Sequence, residues 1–188
     1  MKNMLDIKTR KELHAWLVEN YDKEKECWLI VKKGKVRPDN AVWYLDSVEE
    51  ALCFGWIDSI NKNVNGINLQ KFSPRSKKSV WTELNKERCR RLEKLGLMTD
   101  AGRKVLPDMS ESGFVIDKDV LHNFIGNQIA WENFNRFPLL YRKVRIDTIQ
   151  RVKKNEDMFW QRLKKLIEKS EQNEMFGDWN DNGRLLNY

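Results

Sequence analysis

The apolar positions in the first half of the chain change their period several times, and each change predicts an element. Leu13, Trp16 and Leu17, with Tyr21 after them, recur at helical spacing behind a capping box made by Thr9 and Glu12, so a helix is expected over residues 10 to 20. Cys27 to Val31 is an unbroken apolar run between KEKE and KKGK, the pattern of a buried strand. Ser47 and Glu50 form a second capping box, Val48, Ala51 and Leu52 share a face, and Gly55 can leave a helix with positive φ at no steric cost. A short helix is therefore expected from Ser47 to about Phe54. Trp56, Asp58 and Ile60 then alternate with their neighbours, Asn65-Gly66 is the pair a tight hairpin prefers, Ile67 to Phe72 runs back, and Pro74 ends the return strand.

Beyond Trp81 the period is helical. Thr82 is placed to cap a helix with Leu84, Arg88, Leu92 and Leu95 on one face, Gly96 ends it, and Thr99 caps a further short helix toward Pro107. Val120 to Phe134 reads as one helix, Pro138 opens another through Ile149 and Val152, and Asn155 caps a last one through Ile167. The expected fold class is α+β, a small antiparallel sheet of about three strands with packed helices and a helical C-terminal region. The expected layout is an α+β domain over 1–108, a linker over 109–118, a helical region over 119–176 and a tail over 177–188.

Composition narrows the function classes. A chain of 188 residues, 40% hydrophobic and 34% charged, buries roughly 70% of its unfolded surface, and no apolar run approaches the ~18 residues of a membrane span. Asp6, Lys8, Arg10 and Lys11 interrupt the first residues too often for a secretory signal, and Cys27, Cys53 and Cys89 form no C-x-x-C pair, so a cytoplasmic protein with free thiols is expected. The net charge of +7 is concentrated: residues 61–104 carry twelve basic and four acidic groups, and residues 136–169 eleven and four. In the second block Arg142, Lys143, Arg145, Arg151, Lys153 and Lys154 surround one helix, expected either to face an anionic partner or to pair with the acidic 105–135 segment.

Four stretches, EEALCFGWIDS at 49–59, KFSPRSKKSVW at 71–81, LNKERCRRLEKLGLMTDAG at 84–102 and FPLLYRKVRIDTIQRVKKNED at 137–157, resemble the YdeI/OmpD-associated family, also labelled bacteriocin-protection proteins. The resemblance implies a stress- or bacteriocin-protection role and no assigned reaction.

The residues themselves offer little to catalysis. His14 and His122 sit in no metal-ligand spacing, and no nucleophile elbow or Gly-rich phosphate loop is present, so neither metal nor cofactor is expected. Asp58, at the mouth of a strand, either presents a functional carboxylate or pairs with Arg75 or Lys71 across the hairpin; Cys53 either packs or reacts. Trp56 and Trp81 flank Lys62, Lys71, Phe72, Arg75, Lys77 and Lys78, a basic and aromatic mixture suited to phosphate and to stacked bases. The expected ligand-binding set is Trp56, Asp58, Lys71, Arg75, Trp81 and Arg88, with the two arginines facing an anion and the two tryptophans as walls. A non-enzymatic binding protein is the leading expectation. A nucleic-acid or phosphate binder, a protein-interaction module and an enzyme near Asp58 and Cys53 compete with it.

Overall fold

The computed structural model describes residues 3–76, 79–110 and 113–188, so Lys77 and Lys78 of the basic hairpin and residues 111 and 112 of the expected linker lie outside the described residues. The chain divides into two compact units. The first holds residues 1–80 and 88–107 with residue 188, and the second holds residues 81–87 and 108–187.

The first unit is the α+β one. Its elements are β1 (Met4–Leu5), α1 (Arg10–Asn20), β2 (Cys27–Lys32), β3 (Val42–Trp43), α2 (Tyr44–Cys53), β4 (Trp56–Val64) and β5 (Ile67–Pro74), followed by most of α3 (Glu83–Lys94) and by α4 (Asp100–Arg103). The sheet runs β1-β2-β5-β4, with β3 also on β2. It is larger than the three strands expected and partly parallel: β1 and β3 pair parallel to β2, while β2–β5 and β4–β5 are antiparallel. β1 and β3 have two residues each, and β1 is too short for any apolar period to announce. The expected hairpin forms, and Asn65 and Gly66 have φ of 50° and 82°, the two left-handed residues that a type I′ turn requires.

α1 begins at the Thr9 cap, with both halves of its capping box made. The second capping box does not form. α2 starts three residues earlier, after Trp43, and Ser47 Oγ donates 2.8 Å back to the Tyr44 carbonyl inside the helix. The cause is tertiary: Glu50, which the box would have used, is taken by Arg10 and His14. α2 touches α1, α4 and strands β2, β3 and β4, and every residue from Asp46 to Cys53 is buried.

Gly55 has φ +74°, and a Cβ there would lie 2.9 Å from the Ala101 carbonyl oxygen and 3.1 Å from Val105 Cγ2. The turn from α2 into β4 therefore needs glycine for two reasons, backbone conformation and the close approach of the α4 segment. Gly55→Val should lower unfolding stability by about 1–3 kcal/mol, read as a lower urea midpoint; an unchanged midpoint would contradict both reasons.

The second unit is helical: α5 (Lys118–Ile125), α6 (Gln128–Arg136), α7 (Leu139–Gln150) and α8 (Glu156–Glu171). The single helix expected over 120–134 is two, because Asn127 turns out of one and caps the next, its Oδ1 accepting from the Ala130 N–H at 3.0 Å. Val120, Phe124, Phe134, Tyr141, Phe159 and Leu163 anchor the core. In the stretch expected as a tail, Trp179 joins that core, packed edge-on to Tyr141 at 5.6 Å. On α7, Lys143 is buried, and Lys153 just beyond the helix pairs with Asp117 (3.1 Å) and Asp119 (2.7 Å) in the acidic segment. No helix among the described residues is long and apolar enough to cross a membrane.

Candidate functional site

A helix buried on all sides has no solvent for its acids, yet α2 carries Asp46, Glu49 and Glu50 at i, i+3 and i+4, each under 5% exposed. Carboxylates removed from water must be paired or neutralised. Three elements supply the partners. From the first turn of α1, Arg10 Nε donates to Glu50 Oε2 (2.7 Å) and Arg10 Nη1 to Glu49 Oε2 (2.8 Å), with Nη1 3.9 Å from Asp46 Oδ1. From the 34–41 loop, Arg37 donates to Asp46 Oδ2 through Nε (3.1 Å) and Nη2 (2.6 Å). From α3, Arg91 Nη1 donates to Glu49 Oε1 (2.8 Å). Burial alone would weaken the Arg10 cation, but Glu50 and Glu49 outweigh it and hold its pKa above the ordinary arginine value.

His14, one turn after Arg10, completes the set: its Nδ1–H donates to Glu50 Oε1 at 2.6 Å. Its ring is half exposed and packs edge-on to Phe54, with centroids 5.4 Å apart. A carboxylate on Nδ1 fixes the tautomer and orientation of an imidazole and leaves Nε2 for other work.

Arg10, His14, Arg37, Asp46 and Glu50 of this network floor a cleft of about 530 Å³. Thr9, Lys11 and His14 line one side, Arg37, Pro38 and Trp43 another, with Lys8, Asp39, Ala41 and Leu97 around the rim. Once Arg10–Glu50 and Arg37–Asp46 are set aside as mutual pairs, Lys8 and Lys11 remain against Asp39, a surplus of one positive charge. Among the described residues no carboxylate lies within ion-pair distance of the Lys8 or Lys11 ammonium groups. The start of α1 at the same wall is capped by its own carboxylate, Glu12 Oε2 accepting from the Lys8 N–H at 2.8 Å and the Thr9 N–H at 3.1 Å.

The residues expected to bind ligand are placed elsewhere. Trp56 is 1% exposed, donates from Nε1 to the Tyr21 carbonyl at 3.0 Å and meets Trp16 edge-on at 5.7 Å, so its ring is core. Asp58 accepts from Tyr44 Oη at 2.6 Å, and of the two cross-hairpin partners offered for it, Arg75 or Lys71, Lys71 pairs with Glu26 instead. Lys62 and Lys71 lie over the ring of Trp28, which is buried beneath them. Arg75 and Arg88 are both buried and come together near Cys89, where their positive charge opposes a burial effect that pushes the thiol up to about 12. Trp81 is half-buried and belongs to the second unit.

Cys53 is fully buried, and burial followed by the nearby Glu50 charge pushes its thiol up to about 12, a poor position for a nucleophile. Cys27, Cys53 and Cys89 are all buried free thiols. Among the described residues no group of three or more His, Cys, Asp or Glu side chains is placed to hold a metal ion.

Local sequence does not announce the charge network, because Glu50 also fits a capping box with Ser47 and its partner Arg10 lies forty positions away. One signal was present. Asp46, Glu49 and Glu50 share a ten-residue helix with Val48, Ala51, Leu52 and Cys53, leaving no polar face wide enough to solvate them.

No curated protein and no solved structure matches the chain. The matching family description overturns the resemblance to the YdeI/OmpD-associated proteins, since three of the four stretches that carried it, 49–59, 71–81 and 84–102, fall inside the match to a different family. Those stretches encode a buried helix, a glycine exit, a hairpin and a capped helix, which are requirements of packing that unrelated families share. By that match, over residues 5–105, the chain belongs to the family described as Domain of unknown function (DUF8412).

Proposed function

We propose that the α+β unit is a binding module for a small organic acid, a monoanion with an apolar body, taken up in the cleft between α1, the 34–41 loop and the start of α2. The observation that carries this reading is the floor of that cleft, where the buried carboxylates of Asp46 and Glu50 are already satisfied by Arg10, Arg37 and His14. Such a floor is rigid and close to neutral, so the charge of the cleft is set by Lys8 and Lys11 against Asp39. A surplus of one positive charge fits a carboxylate better than a dianion. Trp43, Pro38, Ala41 and Leu97 offer the apolar wall that a hydrocarbon or aryl body needs. Reduced, buried cysteines support the further expectation of a reducing, cytoplasmic setting.

Titration with benzoate and with the neutral benzyl alcohol tests the reading. Benzoate should bind at least about tenfold more tightly than the alcohol, and Lys11→Gln should remove most of that difference, since a charge-assisted contact is worth roughly 1.5–3 kcal/mol. Equal binding of the two, or no effect of Lys11→Gln, would contradict it. A second reading, an enzyme with His14 as general base, is favoured by the 2.6 Å contact from Nδ1 to Glu50. Recovery of the bound acid unaltered after long incubation with wild type would count against that second reading.

A further inference from the structure

The helical unit holds a second concavity of different chemistry. Arg145 and Thr148 on α7, Arg162 and Lys165 on α8, and Phe176 surround about 320 Å³ above Ile149 and Leu166, and no carboxylate is among the lining residues. Three cations among the lining residues repel one another, and the hydrogen bonds that hold the two guanidiniums go to neutral oxygens. Arg162 Nη1 donates to the Thr148 carbonyl (2.6 Å) and Arg145 Nη2 to the Asp178 carbonyl (3.2 Å), both backbone oxygens. The Phe176 ring is shared, with Arg145 Cζ at 5.2 Å and Lys165 Nζ at 5.0 Å from its centroid. Gly177, at φ +73°, lets the chain turn against the guanidinium, since a Cβ there would lie 2.6 Å from Arg145 Nη1. Arg145 Nε is buried and has no hydrogen-bond partner among the described residues. Burial, joined by the like charge of Arg162, lowers the Arg145 pKa against the pull of Tyr141 and of Asp178, the nearby carboxylate that stands outside the lining.

We propose that this pocket binds a phosphoryl group carried on a small organic body. Two guanidiniums and an ammonium supply forked and point donors for a dianion, the Thr148 hydroxyl lies beside them, and Ile149 and Leu166 form an apolar floor for the body. The surplus of three positive charges separates this pocket from the α+β cleft, whose surplus is one.

The test is calorimetric titration of the full chain with butyl phosphate, inorganic phosphate and butanol. Butyl phosphate should bind most tightly, inorganic phosphate more weakly, and butanol not at all. Arg162→Gln and Lys165→Gln, both at exposed positions, should each weaken butyl phosphate about tenfold, while Lys164→Gln on the same helix leaves it unchanged. Absence of binding of either phosphate at millimolar concentration would overturn the site. So would a loss for Lys164→Gln equal to that of the two site variants, because the attraction would then be diffuse. Inorganic phosphate binding as tightly as butyl phosphate would overturn the organic body.

Discussion

Glu49→Ala should lower the stability of the α+β unit by about 3–5 kcal/mol, the range expected when one member of a buried ionic network is removed and its partners remain. Glu49 is 0% exposed and is the shared acceptor of the network, with Oε2 on Arg10 and Oε1 on Arg91. Without it Arg10 keeps Glu50, but Arg91 loses the carboxylate its Nη1 donates to, while its Nε already has no hydrogen-bond partner among the described residues. Glu49→Gln should cost less, since an amide oxygen still accepts. The exposed set Arg103–Glu93–Asp100 provides the comparison: its distances are as short as 2.9 Å, yet Arg103→Ala should have little effect because water replaces the partners. Urea denaturation of the three variants measures the contrast. A Glu49→Ala midpoint no lower than that of Arg103→Ala would mean the network is solvated.

Trp56→Ala should cost a similar amount, about 3–5 kcal/mol, through a large cavity beside α2 and an unpaired Tyr21 carbonyl. The ring is the largest fully buried side chain, and its edge-on contact with Trp16 links β4 to α1. Trp56→Phe should fall between, keeping an aromatic ring but losing the indole N–H donor. Urea denaturation again gives the answer. A Trp56→Ala protein of wild-type stability that had lost affinity for an anion would restore the tryptophan as the wall of a ligand site.

These two residues mark where the sequence was legible. Periodicity, caps and turn pairs describe local structure, and they located α1, β2, the β4–β5 hairpin and the glycine exit at Gly55, because each of those depends on neighbours within a few positions. They failed where a long-range partner decided the outcome. Glu50 abandons its cap for Arg10, forty residues away, and α2 starts earlier as a result. Trp56 alternates as a strand residue should, but alternation does not say which face of a strand is covered, and here α1 covers it. The basic hairpin looked like a surface for phosphate because charge and aromatics were adjacent in sequence. In space Lys71 serves Glu26 and lies with Lys62 over Trp28. His14, one of two histidines, had no partner in sequence reach; its contact with Glu50 spans thirty-six positions.

That scarcity of histidine allows the most direct test of the proposed cleft. Only His14 and His122 contribute imidazole signals, and His14→Gln assigns them. In a proton NMR titration with benzoate, the ring resonances of His14 should shift in a saturable way while those of His122, on α5 in the helical unit, stay where they are. Saturable binding of benzoate that leaves the His14 ring unmoved would place the ligand elsewhere and contradict the account.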